Sequence, residues 1–352
     1  TMLTTTANAL VQLAAPSHLR GRVIALYLFA FAGLTPVGGL MAGALAELYR
    51  QLGLLSDALA LGSTGIVPAT SYLDFAGYVP ADSDPLIWSL VARRLAAIDR
   101  VFDGSPEQAD WRKLARARIE PQFARVGWTA KPGQTEVAAI LRESLIASLG
   151  VLGDEQVITE ATGRFEREAS DRKALPAAIR EPTLDVTARH ASVATWEQML
   201  ARARKESNPV EKQRAYERLG ATLDPALAQR ALDLALGGEP PVTASPAIIE
   251  RVASLHPELA FDFTLANEQK VMALVESSQR HSYVPRLARS SADPALAGKL
   301  RDHMLRSIPE GGRQDAEQAI AEILRRARSF SHNRPEYAAW VRARTSRGCP
   351  AC

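Results

Sequence analysis

From residue 80 onward the apolar residues step by three and four, and the runs open on one recurring signature. Asp84-Pro85, Ser105-Pro106, Asn208-Pro209, Asp224-Pro225, Ser245-Pro246 and Asp293-Pro294 each pair a short polar side chain with proline. That pairing predicts a helix start. The side-chain oxygen accepts a bond from an N–H of the first turn, and proline at the first helical position forfeits no bond. After Asp84, Leu86, Ile87, Leu90, Val91, Leu95, Ile98, Val101 and Phe102 form one apolar stripe, with Arg93, Arg94 and Asp99 on the other face. No comparable stretch alternates with period two, and glycine-rich hairpin turns between β-branched runs are missing, so the pattern predicts an all-α fold.

The helices repeat. Leu149-Gly150 with Asp154 has the same Leu-Gly-x-x-x-Asp spacing as Leu219-Gly220 with Asp224. Asp224-Pro225-Ala226-Leu227-Ala228 then recurs as Asp293-Pro294-Ala295-Leu296-Ala297. A period of this length, about 70 residues, holds two helix pairs of about 35 residues, stacked so that each buries its neighbour's stripe around a concave face.

The first fifty residues differ. From Val23 to Ala46 no charged residue occurs, with Arg20 and Arg22 before the run and Glu47 and Arg50 after it. The stretch is long enough to cross a bilayer as a helix, and Gly39 and Gly43 form one close-approach motif. Pro36 fits a kinked membrane helix and equally a turn between two short buried helices. Both readings stay open: membrane contact through 23–46, or a buried hairpin. The expected layout is an apolar helical segment at 1–50, a helical repeat domain at 51–345 and a frayed tail at 346–352. The joint near Arg50-Gln51 lacks a Gly, Ser or Pro linker and reads as the meeting of pieces of two proteins, by fusion or in a misassembled reading frame.

Composition narrows the chemistry. With 352 residues, 47% hydrophobic content and a formal net charge of +3, the chain can bury a core and carries no strong electrostatic field. Arginines from Arg325 to Arg347 are opposed only by Glu336, but no aromatic platform interleaves with them; this reads as a solvated terminal helix, and no nucleic-acid partner is expected. The cysteines, Cys349 and Cys352, sit at the end of the tail, outside any βαβ context that would activate them. No GxxxxGK[ST] loop or GxSxG elbow is present. Two candidates for binding are Tyr283 and Arg286, in a segment from His281 that reads as a turn presenting an aromatic hydroxyl and a guanidinium suited to a carboxylate. Arg142 is expected to bond a neighbouring helix's carbonyls or an acid.

Two resemblances rest on these residues. Leu10-Val11-Gln12, Pro16 to Val23, Gly33, Pro36, Gly38, Gly39 and Gly43 resemble a transmembrane hairpin of major facilitator superfamily exporters, a family whose many-helix transport machinery is absent from this sequence. From Leu54-Leu55-Ser56-Asp57-Ala58-Leu59-Ala60-Leu61 onward, Trp88, Gly127-Trp128, Leu141-Arg142, Leu219-Gly220-Ala221-Thr222 and Ala260-Phe261-Asp262-Phe263 with Asn267 follow in order. Over about 52–341 this series resembles the C-terminal helical domain of zinc aminopeptidases of the puromycin-sensitive and membrane alanyl type. Glu268 departs from it, standing where that family often has Trp.

The second resemblance implies a superhelical stack of antiparallel HEAT-like helix pairs forming a bowl over a separate catalytic domain. That domain and a peptide are then the expected partners, in a cytoplasmic setting. Zinc chemistry needs two His one helical turn apart and an adjacent Glu. The six His here are scattered, the nearest two being His281 and His303, and there is no HExxH. No catalytic residue, metal ligand or cofactor is therefore expected on this chain, the family's zinc being held by a domain this sequence lacks.

Overall fold

The computed structural model describes residues 50–62, 65–131 and 133–346. The exporter-like fragment, the uncharged run 23–46 and the cysteine pair lie outside the described residues. Among the described residues no helix is long and apolar enough to cross a membrane. The chain divides into two compact units, Thr1–Asp57 and Ala58–Cys352. In the first, the described residues 50–57 are helical.

The described residues hold helices and no strand, which meets the all-α expectation. Counting the helical stretch 50–62 as α1, the elements are α2 (Ser71–Gly77), α3 (Pro85–Ile98), α4 (Gln108–Val126), α5 (Glu136–Val151), α6 (Glu155–Arg167), α7 (Ala177–Arg189) and α8 (Val193–Lys205). They continue as α9 (Pro209–Arg218), α10 (Pro225–Leu236), α11 (Ala244–Ala253), α12 (Pro257–Ala266), α13 (Glu268–Leu274), α14 (Arg280–Ala288), α15 (Pro294–Ser307) and α16 (Gln314–Thr345).

Four of the six polar-proline pairs start helices as expected. Asp84 accepts from Leu86 N–H at 2.8 Å, Asn208 from Val210 at 3.0 Å, Asp224 from Ala226 at 2.8 Å and Asp293 from Ala295 at 2.9 Å. Each such cap is worth about 1 kcal/mol. Two pairs behave differently. Ser105-Pro106 lies in a turn, and α4 begins later, at Gln108. Ser245-Pro246 falls inside α11, which starts at Ala244.

Within the second unit α3, α5 and α7 pack in succession, as do α9, α11, α14 and α16, and each helix between them packs on a member of these runs. The α3 stripe explains its place: Ile87, Trp88, Val91, Leu95 and Ile98 are buried while Arg93 and Arg94 are exposed. Farther along, Phe261 of α12, Val284 of α14, Leu296 and Leu300 of α15 and Ile320 and Ile323 of α16 share one core.

Backbone carbonyls link helices one pair apart along the unit. His190 Nε2 bonds Gly150 O at 2.7 Å, Leu223 N–H bonds Arg189 O at 2.9 Å, and His256 Nε2 bonds Thr222 O at 2.9 Å. Ser290 Oγ then reaches Ala253 O at 2.8 Å and Arg326 Nη1 reaches Ser291 O at 2.9 Å. Each bond spans one helix pair, and the carbonyls freed at the end of one helix are satisfied by the next. The glycines of the Leu-Gly-x-x-x-Asp signature serve the same packing. A Cβ on Gly150 would strike the Val186 side chain of α7, and one on Gly220 would lie 2.8 Å from Ile248 O of α11.

The terminal helix is not the solvated arm its composition suggests. α16 is 32 residues long, about 48 Å. Its first half joins the core of the last pair, and beyond Pro335 it packs on the first pair of the same unit. There Tyr337 and Val341 are buried, Trp340 lies 6.5 Å from Trp111, and Trp111 stacks on Phe102 at 5.4 Å. Arg334 donates to Val101 O at 2.7 Å, Arg342 pairs with Glu107, and Arg344 pairs with Asp74 at 2.9 Å. The arginines that composition assigned to solvent are in large part tethers.

Candidate functional site

The residues that carried the aminopeptidase resemblance hold the fold together. Trp88 is buried in α3, donates from Nε1 to Pro80 O at 3.1 Å, and carries the Arg118 guanidinium 4.7 Å above its ring. Gly127 ends α4 at φ 60°, in the left-handed region where glycine meets no Cβ penalty. The turn it makes sets Trp128 edge-on against Phe123 at 5.6 Å. The carbonyls it leaves open meet Arg142, whose Nε donates to Gly127 O at 2.9 Å and whose Nη2 donates to Val126 O at 3.1 Å and to Gln134. Arg142 is only 1% exposed, so the bonds expected of it are made, to carbonyls at the end of α4. Burial lowers its pKa. Phe261 fills the core, Asp262 pairs with Lys299 at 2.7 Å, and Asn267 caps α12 through Phe263 O at 3.0 Å.

Tyr283 and Arg286 do not sit in a turn. Both belong to α14, where Pro285 is accommodated within the helix. The Tyr283 ring is buried, its hydroxyl donates to Pro246 O at 2.8 Å, and burial drives its pKa far upward. Arg286 pairs with Glu250 of α11 at 2.8 Å and also donates to Gln279. Both side chains therefore link α14 to neighbouring structure. A carboxylate arriving at Arg286 would have to displace or share Glu250.

One polar constellation was missed by sequence reasoning. Just past α3, Asp99 is 3% exposed and takes both Arg112 Nε at 2.9 Å and Nη2 at 2.7 Å, with Gln108 donating at 3.3 Å. Gln108 also reaches Asp103 at 3.2 Å, and burial pushes the Asp103 carboxyl upward against the pull of Arg100. Arg100 donates to Ser290 O, just past α14, at 2.9 Å. Burial lowers the pKa of the Arg189 guanidinium, at the end of α7, against the pull of Asp99. The ends of α3 and α14 are thus joined, with Arg334 of α16 bonded to Val101 O beside them. The contributing residues are more than 180 positions apart, and single arginines at helix ends give no sequence signal beyond their ordinary role at carbonyls.

Zinc does not fit these residues. Among the described residues no three His, Cys, Asp or Glu side chains are grouped to hold a metal ion. His190 and His256 each spend Nε2 on a backbone carbonyl.

Helices packed in succession, carbonyl bonds between helices one pair apart and structural signature residues define an all-α domain. Its sequence matches the ERAP1-like C-terminal domain over residues 41–325, and the chain belongs to that family. Among curated proteins it is similar to Aminopeptidase M1-A of Oryza sativa subsp. japonica, with 29% identity over 196 residues, 54% of this chain and 22% of that protein. Aminopeptidase 2 of Candida albicans is 23% identical over 189 residues, 53% of this chain and 20% of the relative. The alanine/arginine aminopeptidase of Saccharomyces cerevisiae is 22% identical over 191 residues, 53% of this chain and 22% of the relative. The chain therefore spans about a fifth of the length of the curated relatives it matches. The exporter resemblance of the first fifty residues has no counterpart in these matches.

Proposed function

We propose that this chain acts as the cap of a zinc-dependent aminopeptidase, a curved helical wall closing the chamber in which peptides are trimmed. It carries no catalytic centre of its own. The observation behind this reading is the family match across most of the helical unit, in a sequence without HExxH. Its partners are an aminopeptidase catalytic domain and the enclosed peptide, and zinc belongs to that other domain. In this reading Arg286, on α14, is the peptide-facing candidate, and its exchange of Glu250 for a peptide carboxylate is the event to seek. Membrane contact through 23–46 remains the proposal for the first segment.

The test is capture of a purified M1-type catalytic fragment by the purified chain, with an aminoacyl fluorogenic substrate assay on each alone and on the mixture. Selective capture, with turnover only when the catalytic fragment is present, is the expected result. Zinc-dependent turnover by the chain alone refutes the reading. Capture of unrelated proteins in preference to the catalytic fragment would instead favour a free-standing peptide-binding scaffold.

A further inference from the structure

Two aromatic side chains face water on a segment whose backbone is tightly held. Tyr78 is 84% exposed and Phe75 49%, and Ile66, in the turn leading to α2, is 71% exposed. Among the described residues the exposed large hydrophobics beyond residue 78 are all aliphatic and dispersed over separate helices and loops. Phe75 and Tyr78 stand three positions apart at the end of α2, on one face, while Tyr72, Leu73 and Ala76 are buried on the other. The chain running from α2 towards α3 is clamped by its carbonyls. Arg118 of α4 donates to Ala76 O at 2.8 Å and to Val79 O at 2.7 Å, Trp88 of α3 to Pro80 O at 3.1 Å, and Gln122 of α4 to Ala81 O at 2.8 Å, where Arg125 also bonds. Asp74, the polar neighbour of Phe75, is engaged by Trp340 Nε1 and by Arg344. The backbone is thus fixed on the side of α3 and α4, and the aromatics are held outward. Aromatic anchors presented in one place, with their polar surroundings already satisfied, bind a partner at low ordering cost.

We propose that the α2 face carrying Phe75 and Tyr78 is the surface on which the catalytic part of an M1-type aminopeptidase docks. The occupant follows from where the face sits. α2 lies near the start of the span 41–325 that matches a family described as a C-terminal domain, and the curated relatives hold about four-fifths of their length outside the part matched. In a protein whose other domains precede this one, the first helices are the edge at which they arrive, and an apolar face there is the first surface within their reach. The inference rests on the cap reading and adds to it the place of contact and its chemistry: an apolar recess on the partner that takes the Tyr78 and Phe75 rings.

The experiment measures the affinity of the purified full chain for a purified M1-type catalytic fragment, with the urea midpoint and sedimentation of each form followed alongside. The forms are the parent, the double variant Phe75→Ser, Tyr78→Ser, and a control, Val210→Ser with Val242→Ser, which changes exposed aliphatic residues of α9 and of the turn before α11. The double variant should bind at least tenfold more weakly with its urea midpoint unchanged, and the control should bind as the parent does. Tyr78→Ser alone, at the more exposed position, is the second variant should loss of Phe75 disturb α2; it should weaken binding at least fivefold. Binding by the parent that both aromatic variants retain overturns the docking surface and leaves the cap reading standing. Failure of the parent to bind the fragment overturns both. A dimer of the parent that Tyr78→Ser dissolves assigns the face to a second copy of this chain and overturns the inference as well.

Discussion

Adding one methyl group at Gly220 tests whether the repeat is built by close approach of successive helices. The Gly220 backbone is not in the left-handed region, so alanine meets no backbone penalty there. Its Cβ, however, would lie 2.8 Å from Ile248 O and 3.0 Å from Val252 N, both backbone atoms of α11. No rotamer change relieves that, and α11 itself has to retreat. Overpacking of this kind costs about 1–3 kcal/mol, against a gain of about 0.4–1 kcal/mol from the stiffer unfolded chain. The net expectation for Gly220→Ala is a loss of about 1 kcal/mol, lowering the melting midpoint by about 2–4 °C. Gly298, inside α15 with nothing near its would-be Cβ, is the control; Gly298→Ala should stabilise by up to about 1 kcal/mol. At Gly150 the obstacle is instead the Val186 side chain, so Gly150→Ala should be destabilising alone and partly rescued by Val186→Ala. Equilibrium urea unfolding followed by circular dichroism reads all of these. Gly220→Ala as stable as the parent, or a Gly150→Ala loss that merely adds to that of Val186→Ala, would refute the packing argument.

Arg142→Met should cost about 2–4 kcal/mol by orphaning the Val126 and Gly127 carbonyls, and Arg142→Lys should recover little of it, as measured by urea unfolding. His190 and His303 both have pKa values pushed down, chiefly by burial, so the unfolded chain binds more protons than the folded one just below their ordinary value of about 6.5. Stability is then full above that pH and falls on acidification, and the double variant His190→Gln, His303→Gln should flatten the midpoint-against-pH curve between about pH 5 and 6.5. Tyr337→Ala or Val341→Ala should cost about 2–4 kcal/mol and speed proteolysis within the first helix pair, whereas Arg342→Gln, on an exposed pair, should change stability by less than about 1 kcal/mol.

Helix type and period were readable because both have local causes. Asp84, Asn208, Asp224 and Asp293 cap their helices within three residues of themselves, so the signal and its structural effect share one short stretch of chain. Ser105 and Ser245 carry the same letters, but the neighbouring helices start at Gln108 and Ala244 instead. The segment from His281 misled as a turn because Pro285 interrupts the pattern, although a proline in the second turn of a short helix leaves few internal bonds to break. What lay beyond reach was everything made by return of the chain on itself. Trp340 with Asp74, Arg334 with Val101, and Arg100 with Ser290 join residues from opposite ends of the unit, and no spacing within either segment records the other.

That return also answers a difficulty common to repeat proteins. A linear stack leaves the outer face of its first and last units without a neighbour, and dedicated capping repeats normally cover them. Here the second half of α16 lies against the first pair: Tyr337 and Val341 are buried, and Trp340 completes the Phe102–Trp111 stack. The polar groups are matched at the same contact, with Glu336 accepting from Ala69 N–H at 2.7 Å and Arg334 serving the Val101 carbonyl in the turn that follows α3. The last helix therefore takes the place of a terminal cap for the first repeat, and stability gained at one end is felt at the other. In such an array, destabilising the α16 contact should lower the cooperativity of unfolding as well as its midpoint, whereas a lesion of equal cost within a middle pair should lower the midpoint alone.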